Sequence, residues 1–455
     1  MIEFLKNIIN GKRLLILGFG REGESTYRFL RKHFSDLKIS IADKNENIVR
    51  RINDNNIEII TGENYLNSIA EYDLVFKSPG ISLSHPEAQI DRGKITSQTD
   101  LFLDYYSEQI IGVTGTKGKS TTSSLIYHII KLFTRNVVFV GNIGVPPFDM
   151  IEEISERSRI VCELSSHQLE FISKGPHIGI LLNLFQEHLD HYLTFEDYQL
   201  SKFHLTLYQK SSDNFIFNDD DSLIKKLMTD NKLDRKFYGY SLNRPQSMGC
   251  WVSNEEIIFS DGRSETVIFN LNSEHNLKGQ HNVLNIMAAI CACKITGIPD
   301  EKISEGIKTF KGLEHRIEFV GEFDGVRYYN DSIATIPEAT IEAIKTLVDV
   351  ETLILGGFDR GIDYDHLLEF LLLSTVKNII FLGDAGRRMM KGLEKLAKKN
   401  QNIFFADTFE NAVMTAKINT RPNGTCLLSP AAASYDMFKN FEERGQVYKK
   451  LVRGL

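Results

Sequence analysis

Proline and cysteine are both scarce, at ten and five in 455 residues, which excludes a proline-rich linker protein and a disulfide-stapled secreted fold. The cysteines, Cys162, Cys250, Cys291, Cys293 and Cys426, are odd in number and match no zinc-knuckle or redox-pair spacing, so they read as reduced, buried thiols. No run approaches the roughly 20 apolar residues of a membrane span. The first thirteen residues interleave apolar side chains with charges, which does not resemble a secretory signal. Low-complexity tracts are lacking. The formal net charge of −7 comes without a basic stripe, which argues against a nucleic-acid partner. These absences predict a soluble, cytoplasmic protein with no membrane or nucleic-acid partner, here taken as a monomer.

What is present is the composition of a globular chain, 42% hydrophobic and 25% charged, at a length that suggests roughly three domains. From residue 13 to about 97, short β-rich runs alternate with helix-like stretches, which predicts a parallel sheet with helices against it. A second α/β unit spans 98–312. It ends in short strands over 236–270 that read as antiparallel, followed by helices near 281–296 and 300–310. A third alternation fills 313–455, with a helix starting at Pro337. The fold class is therefore α/β in three domains, 1–97, 98–312 and 313–455.

Two glycine loops carry the chemistry. Gly18, Gly20 and Gly23 lie between a predicted strand and helix, and Asp43 ends the next strand. Such glycines allow a tight turn and close approach of phosphate at a helix N-terminus, while the acid can hold a ribose hydroxyl. Alone this is an NAD-type fingerprint, with a merely structural turn as the alternative. Ser78-Pro79-Gly80 follows another strand of the same unit and reads either as part of the ligand crevice or as a connecting turn. The second loop, Gly115-Thr116-Lys117-Gly118-Lys119-Ser120-Thr121, departs from the strict phosphate-loop pattern because Val113 stands at the first glycine position. Its backbone N–H groups can still cradle phosphates, Lys119 can neutralise them, and the Ser120 hydroxyl can ligate Mg²⁺. ATP is the expected cofactor.

This loop, followed by Gly141-Asn142-Ile143-Gly144 and by Glu163 through Glu170 (Glu-Leu-Ser-Ser-His-Gln-Leu-Glu), resembles the Mur ligases of bacterial cell-wall synthesis. Gly279 to Asn285, Leu313-Glu314-His315-Arg316, Asn330-Asp331-Ser332 and the segment from Leu427 to Gly445 extend the resemblance over nearly the whole chain. They point to the D-glutamate-adding branch. The Asp-Asn-Pro-Arg acceptor motif of the diaminopimelate-adding relatives is absent.

The resemblance implies a Rossmann-like N-terminal domain that holds the UDP of a sugar substrate, a central ATPase domain, and a Rossmann-like C-terminal domain for the acceptor. The implied partners are ATP, UDP-N-acetylmuramoyl-L-alanine and D-glutamate. Gly18, Gly20, Arg21, Glu22, Asp43, Lys44, Ser78, Pro79, Gly80, Asn142, Ser165, Gln168 and His188 become the UDP-substrate site. Lys119, Glu163, His188, Lys202 and Asn142 become the catalytic set. Two Mg²⁺ sites follow, one on Ser120 and Glu163, the second on His188 and on Lys202 as its carbamate. Asn282, Asn285, Arg316 and Asp331 join the ATP loop, and Arg360, Ser434 and Phe441 form the acceptor site. Three positions depart from the common family pattern: Ile333 where lysine is usual, Lys117 where asparagine is, and Arg360 where many members carry lysine. Isoleucine cannot replace an ammonium, so position 333 inherits no role. The rival expectation is an NAD-dependent oxidoreductase built on residues 18–43; a protein that hydrolyses ATP without making a bond is a third.

Overall fold

The computed structural model describes the chain except residues 53, 55, 84–90, 144, 187–190, 247, 348, 397–400 and 455, and the side chains of 50, 51 and 396. It folds as two compact units, Met1–Phe310 and Lys311–Leu455. The first holds two sheets and the second holds one.

The N-terminal sheet is parallel, in the order Ile57–Thr61, Ile39–Asp43, Leu14–Leu17, Leu74–Lys77, Ile95–Thr96. Leu14–Leu17 is buried throughout, as a strand covered on both faces requires. Strand order reverses beside it, and such a switch point opens a crevice at the carboxyl ends.

The central sheet has nine strands. Its parallel core runs Asn214–Asn218, Ile178–Leu181, Ile110–Thr114, Arg159–Glu163, Val137–Gly141. Helices Lys119–Phe133 and Gln280–Ile295 belong to the same unit. The second is apolar around its circumference from Ile286 to Cys293, and these eight residues are all fully buried, as expected of a helix inside a large core. The antiparallel expectation for 236–270 needs a correction. Lys236–Ser241 pairs parallel with both Asn214–Asn218 and Met248–Ser253, and antiparallel pairing begins only between Met248–Ser253 and Glu256–Ser260. A two-residue turn at Asn254 and Glu255, both at positive φ, supplies the backbone twist such a hairpin needs. Glu265–Asn270 then extends the same sheet.

In the second unit the order is Glu318–Phe323, Val326–Asn330, Thr425–Leu428, Val350–Gly356, Asn378–Leu382, Asn402–Ala406. All neighbours are parallel except the first pair, which is a hairpin. All five cysteines are buried free thiols. Among the described residues no helix is long and apolar enough to cross a membrane.

Candidate active site

The carboxyl ends of the first sheet and part of the central sheet enclose one cavity of about 440 Å³. Gly18, Gly20, Arg21, Glu22, Asp43 and Ser78-Pro79-Gly80 line it from the N-terminal sheet, and Asn142 and Gln168 line it from the central one. Each glycine of the fingerprint has a distinct physical role. A Cβ on Gly23 would lie 2.0 Å from the Gly18 carbonyl oxygen, so that glycine lets the helix approach the turn. A Cβ on Gly20 would meet nothing within 4 Å, and this residue caps the helix Arg21–His33 beside open space, as phosphate approach requires. Asp43 accepts hydrogen bonds from the backbone N–H of Phe19 (2.6 Å) and Asn45 (2.7 Å), which ties the glycine loop to the neighbouring strand. The Ser78 hydroxyl donates to the Gly18 carbonyl at 2.6 Å.

Glu22 is half-buried as a residue, but its Oε2 is sealed from solvent and meets no hydrogen-bond partner among the described residues. Its Oε1 accepts from the Gln168 amide. Burial pushes its pKa up to about 7, against the pull of the Gln168 hydrogen bond and of Lys77 and Arg21. Nearby, buried Lys77 pairs with Glu170 at 3.3 Å, and Glu170 meets His191 Nε2 at 3.3 Å. Two further implied residues make other contacts. Lys44 does not line the cavity and forms an exposed ion pair with Glu63. The Ser165 hydroxyl caps the short helix Ser166–Leu169 in a reciprocal capping box with Gln168. His188 lies outside the described residues.

The phosphate loop follows Ile110–Thr114 and ends at the helix beginning with Lys119. Gly118 stands at φ +85, and a Cβ there would come within 2.4 Å of Asn285 Oδ1, so the Asn285 side chain rests against the loop. Asn285 donates to Asn282 (3.2 Å), which joins the two asparagines into one contact set. The Lys117 N–H donates to Asn183 Oδ1 at 2.8 Å and the Asn183 amide returns a bond to the Lys117 carbonyl at 3.0 Å. Thr116 Oγ1 lies 2.9 Å from the Tyr198 hydroxyl. Lys119 Nζ donates to the carbonyls of Gly115 (2.8 Å) and Thr116 (2.9 Å). Lys202, from helix Phe195–Leu207 and 2% exposed, donates to the same Gly115 carbonyl at 3.0 Å. Two ammonium groups thus share one oxygen. Glu163 is buried at the end of its strand, accepting from the Asn142 amide at 2.8 Å, with the Ser123 hydroxyl 3.5 Å from its other oxygen. The Ser123 hydroxyl also reaches the Ser120 carbonyl at 3.3 Å, and a buried carboxyl with a serine hydroxyl is a donor set that suits a hard divalent cation.

In the second unit the implied residues again follow the carboxyl ends of adjacent parallel strands. Asp331 follows Val326–Asn330, Ser434 lies beyond Thr425–Leu428, and Arg360 lies beyond Val350–Gly356. Asp331 is buried, accepts from the Ser429 hydroxyl (2.7 Å) and the Ile317 N–H (3.2 Å), and is pushed up to about 7 by burial. Arg316 is exposed between His315 and Ile317, both at positive φ; for a β-branched residue that is an outlier. Buried Ser434 accepts at its carbonyl from the N–H groups of Met437 and Phe438. Phe441 opens the helix Phe441–Arg453, and its carbonyl accepts from the Ser332 hydroxyl. Arg360 is exposed and donates to the Thr335 carbonyl at 2.5 Å.

Sequence inspection missed Arg444. Fully buried, it donates to the carbonyls of Ser332, Ala432 and Ala433 and to the Ser332 hydroxyl, clamping the Asp331 segment to the Ser429–Ser434 loop. In sequence it is one charge in an acidic helix start, and only the tertiary fold distinguishes it. Asn183 was missed for the same reason.

Comparison with known proteins agrees along the whole chain. Residues 12–94 match the family model "Mur ligase MurD-like, N-terminal domain", 113–293 the "Mur ligase middle domain", and 315–432 the "Mur ligase, glutamate ligase domain". A relative from Clostridium kluyveri named UDP-N-acetylmuramoylalanine–D-glutamate ligase is 34% identical, covering 99% of this chain and 98% of its own. One of the same name from Symbiobacterium thermophilum is 35% identical over 88% of each chain. Among solved structures, MurF ligase from Thermotoga maritima in complex with ADP shares the fold at a TM-score of 0.55 and 17% identity, over 97% of this chain and 95% of that one.

Proposed function

The chain belongs to the Mur ligase family, and on that premise we propose that it joins D-glutamate to UDP-N-acetylmuramoyl-L-alanine with ATP, in peptidoglycan precursor synthesis in the cytoplasm. It is an ATP-dependent amide-forming ligase. The oxidoreductase alternative is not favoured, because the residues of the NAD-type fingerprint fall within a Mur ligase N-terminal domain. The observation that carries the substrate reading is the shared cavity. A ligand held by the Gly18–Gly20 turn reaches Asn142 and Gln168 of the sheet that bears the ATP loop, which suits a nucleotide-linked substrate whose far end must meet ATP.

A carboxylate is a poor electrophile. Transfer of the γ-phosphoryl group to it gives an acyl phosphate and ADP. The amine of D-glutamate then adds to the acyl carbon, and the tetrahedral intermediate expels phosphate to leave the amide. Lys119, at the start of its helix, exchanges its loop carbonyls for the β- and γ-phosphates and offsets charge that grows during transfer. Asn142 orients Glu163 through its amide hydrogen bond. Ser120 and Glu163 would hold Mg²⁺, which supplies positive charge to the phosphate oxygens. A second Mg²⁺ would use His188 and the carbamate of Lys202. The crowding at the Gly115 carbonyl supports that modification. Two cations on one buried oxygen repel each other, and addition of CO₂ to the free amine, with loss of one proton, replaces one of them by an anion. Asn282 and Asn285 would extend the ATP site within the first unit, and Arg360, Ser434 and Phe441 of the second would hold the acceptor.

The test is incubation with ATP, Mg²⁺, UDP-N-acetylmuramoyl-L-alanine and D-glutamate, reading phosphate release and product mass. Product that requires both substrates is expected. Phosphate release that ignores either substrate, or turnover of NADH, would overturn the reading.

A further inference from the structure

The loop after strand Val350–Gly356 places two opposite charges side by side, Asp359 and Arg360, yet they are not paired with each other. Asp359 is engaged by Arg388 of the helix Gly383–Leu396, which follows the adjacent parallel strand. Arg388 Nε and Nη2 fork onto the two carboxylate oxygens, each at 2.7 Å, and Nη2 also donates to the Ile362 carbonyl at 2.6 Å. The guanidinium lies over the Tyr364 ring, 4.6 Å from its centroid. Asp359 Oδ1 additionally closes the turn by accepting from the Gly361 N–H at 2.9 Å. Arg360 donates to the Thr335 carbonyl, and among the described residues no carboxylate pairs with it.

We propose that Arg388 is a positioning residue for the acceptor amino acid: by occupying the Asp359 carboxylate it keeps Arg360 open to a carboxylate of the incoming substrate. This rests on the assignment of Arg360 to the acceptor site. A bidentate fork fixes an acid in orientation as well as charge. Without it, Asp359 is one residue from Arg360 and of the same sign as a dicarboxylate acceptor, so it competes for the cation and repels the ligand at once. In keeping with the fork, Arg388 holds the Asp359 carboxyl below its usual range, and the Arg388 guanidinium is raised by the same bond.

The experiment is a cycle of Arg388→Ala, Asp359→Asn and the double variant, with steady-state KM for D-glutamate, KM for ATP and kcat. Arg388→Ala should raise the D-glutamate KM about 10- to 100-fold, the range for one charge-assisted contact, with ATP KM and kcat within about threefold. Arg388→Lys, which keeps the charge without the fork, should fall between. The double variant should return to within about threefold of wild type, because the competing carboxylate is gone. A merely structural Arg388 predicts no such rescue, and a double variant as impaired as Arg388→Ala overturns the proposal. An unchanged KM in Arg388→Ala overturns it as well. Arg360→Ala is the control. If it leaves the D-glutamate KM unmoved, the acceptor assignment itself fails; if it raises KM while Arg388→Ala does not, only the role of Arg388 fails.

Discussion

Replacing Glu22 by glutamine should stabilise the Met1–Phe310 unit at pH 8 and leave it unchanged near pH 4.5. Glutamine is close in shape to the protonated acid. Its carbonyl still accepts from the Gln168 amide, and its NH₂ occupies the place of the sealed Oε2. Burial raises the folded-state pKa from 4.5 to about 7. A carboxyl raised in the folded state favours folding through its proton. That contribution is complete below about pH 4.5, declines as pH climbs, and is gone above about pH 7, where a buried charge must be carried. At 1.36 kcal/mol per pKa unit the wild type loses about 3 kcal/mol across this window, and the glutamine variant does not. For a unit of this size that corresponds to about 5–10 °C in apparent midpoint. Paired melting curves of wild type and Glu22→Gln at pH 5 and pH 8 isolate the effect, since every other titrating group is common to both. Parallel pH dependences in the two proteins would refute the burial of this carboxyl as the cause.

Lys119→Ala should lower kcat by about 100-fold or more in a protein that still folds, because it removes the charge that offsets the phosphates during transfer; near-normal product formation in a folded variant would remove it from the ATP site. Lys202→Ala should lose most activity and regain part of it with acetate, whereas Lys202→Arg should not respond; full activity without any added carboxylate would dismiss the carbamate. Gly118→Ala should destabilise by about 1–2 kcal/mol from its left-handed backbone, and more from the Asn285 contact. Asn285→Ala should remove only the second part, so additive stability losses in the double variant would contradict that contact.

The glycine loops were readable from sequence because each is decided by atoms a few residues away. Gly23 must be glycine because of the Gly18 carbonyl, and Gly118 because of its own φ. The same locality made the strands legible: runs such as Leu14–Leu17 and Asn378–Leu382 are buried along their whole length, and continuous apolar runs between turn signals announce that. What stayed hidden depends on partners far along the chain. Glu22 and Gln168 are 146 residues apart, Lys77 and Glu170 are 93 apart, and Arg444 meets Ser332 across 112. None of these separations leaves a periodicity. Charge alone was misleading at such positions, since sequence suggests solvent for a lysine or an arginine, whereas Lys77, Lys202 and Arg444 are all buried. Burying an ionised group is costly unless its bonds are met, and the partners come from distant segments: the Glu170 carboxylate for Lys77, the Ser332, Ala432 and Ala433 carbonyls for Arg444, and the Gly115 carbonyl with the Tyr198 ring for Lys202. Lys202 shares its carbonyl acceptor with Lys119 at 3.0 and 2.8 Å, a crowding of two basic groups that no local sequence pattern announces and that the acetate-rescue experiment on Lys202→Ala probes directly.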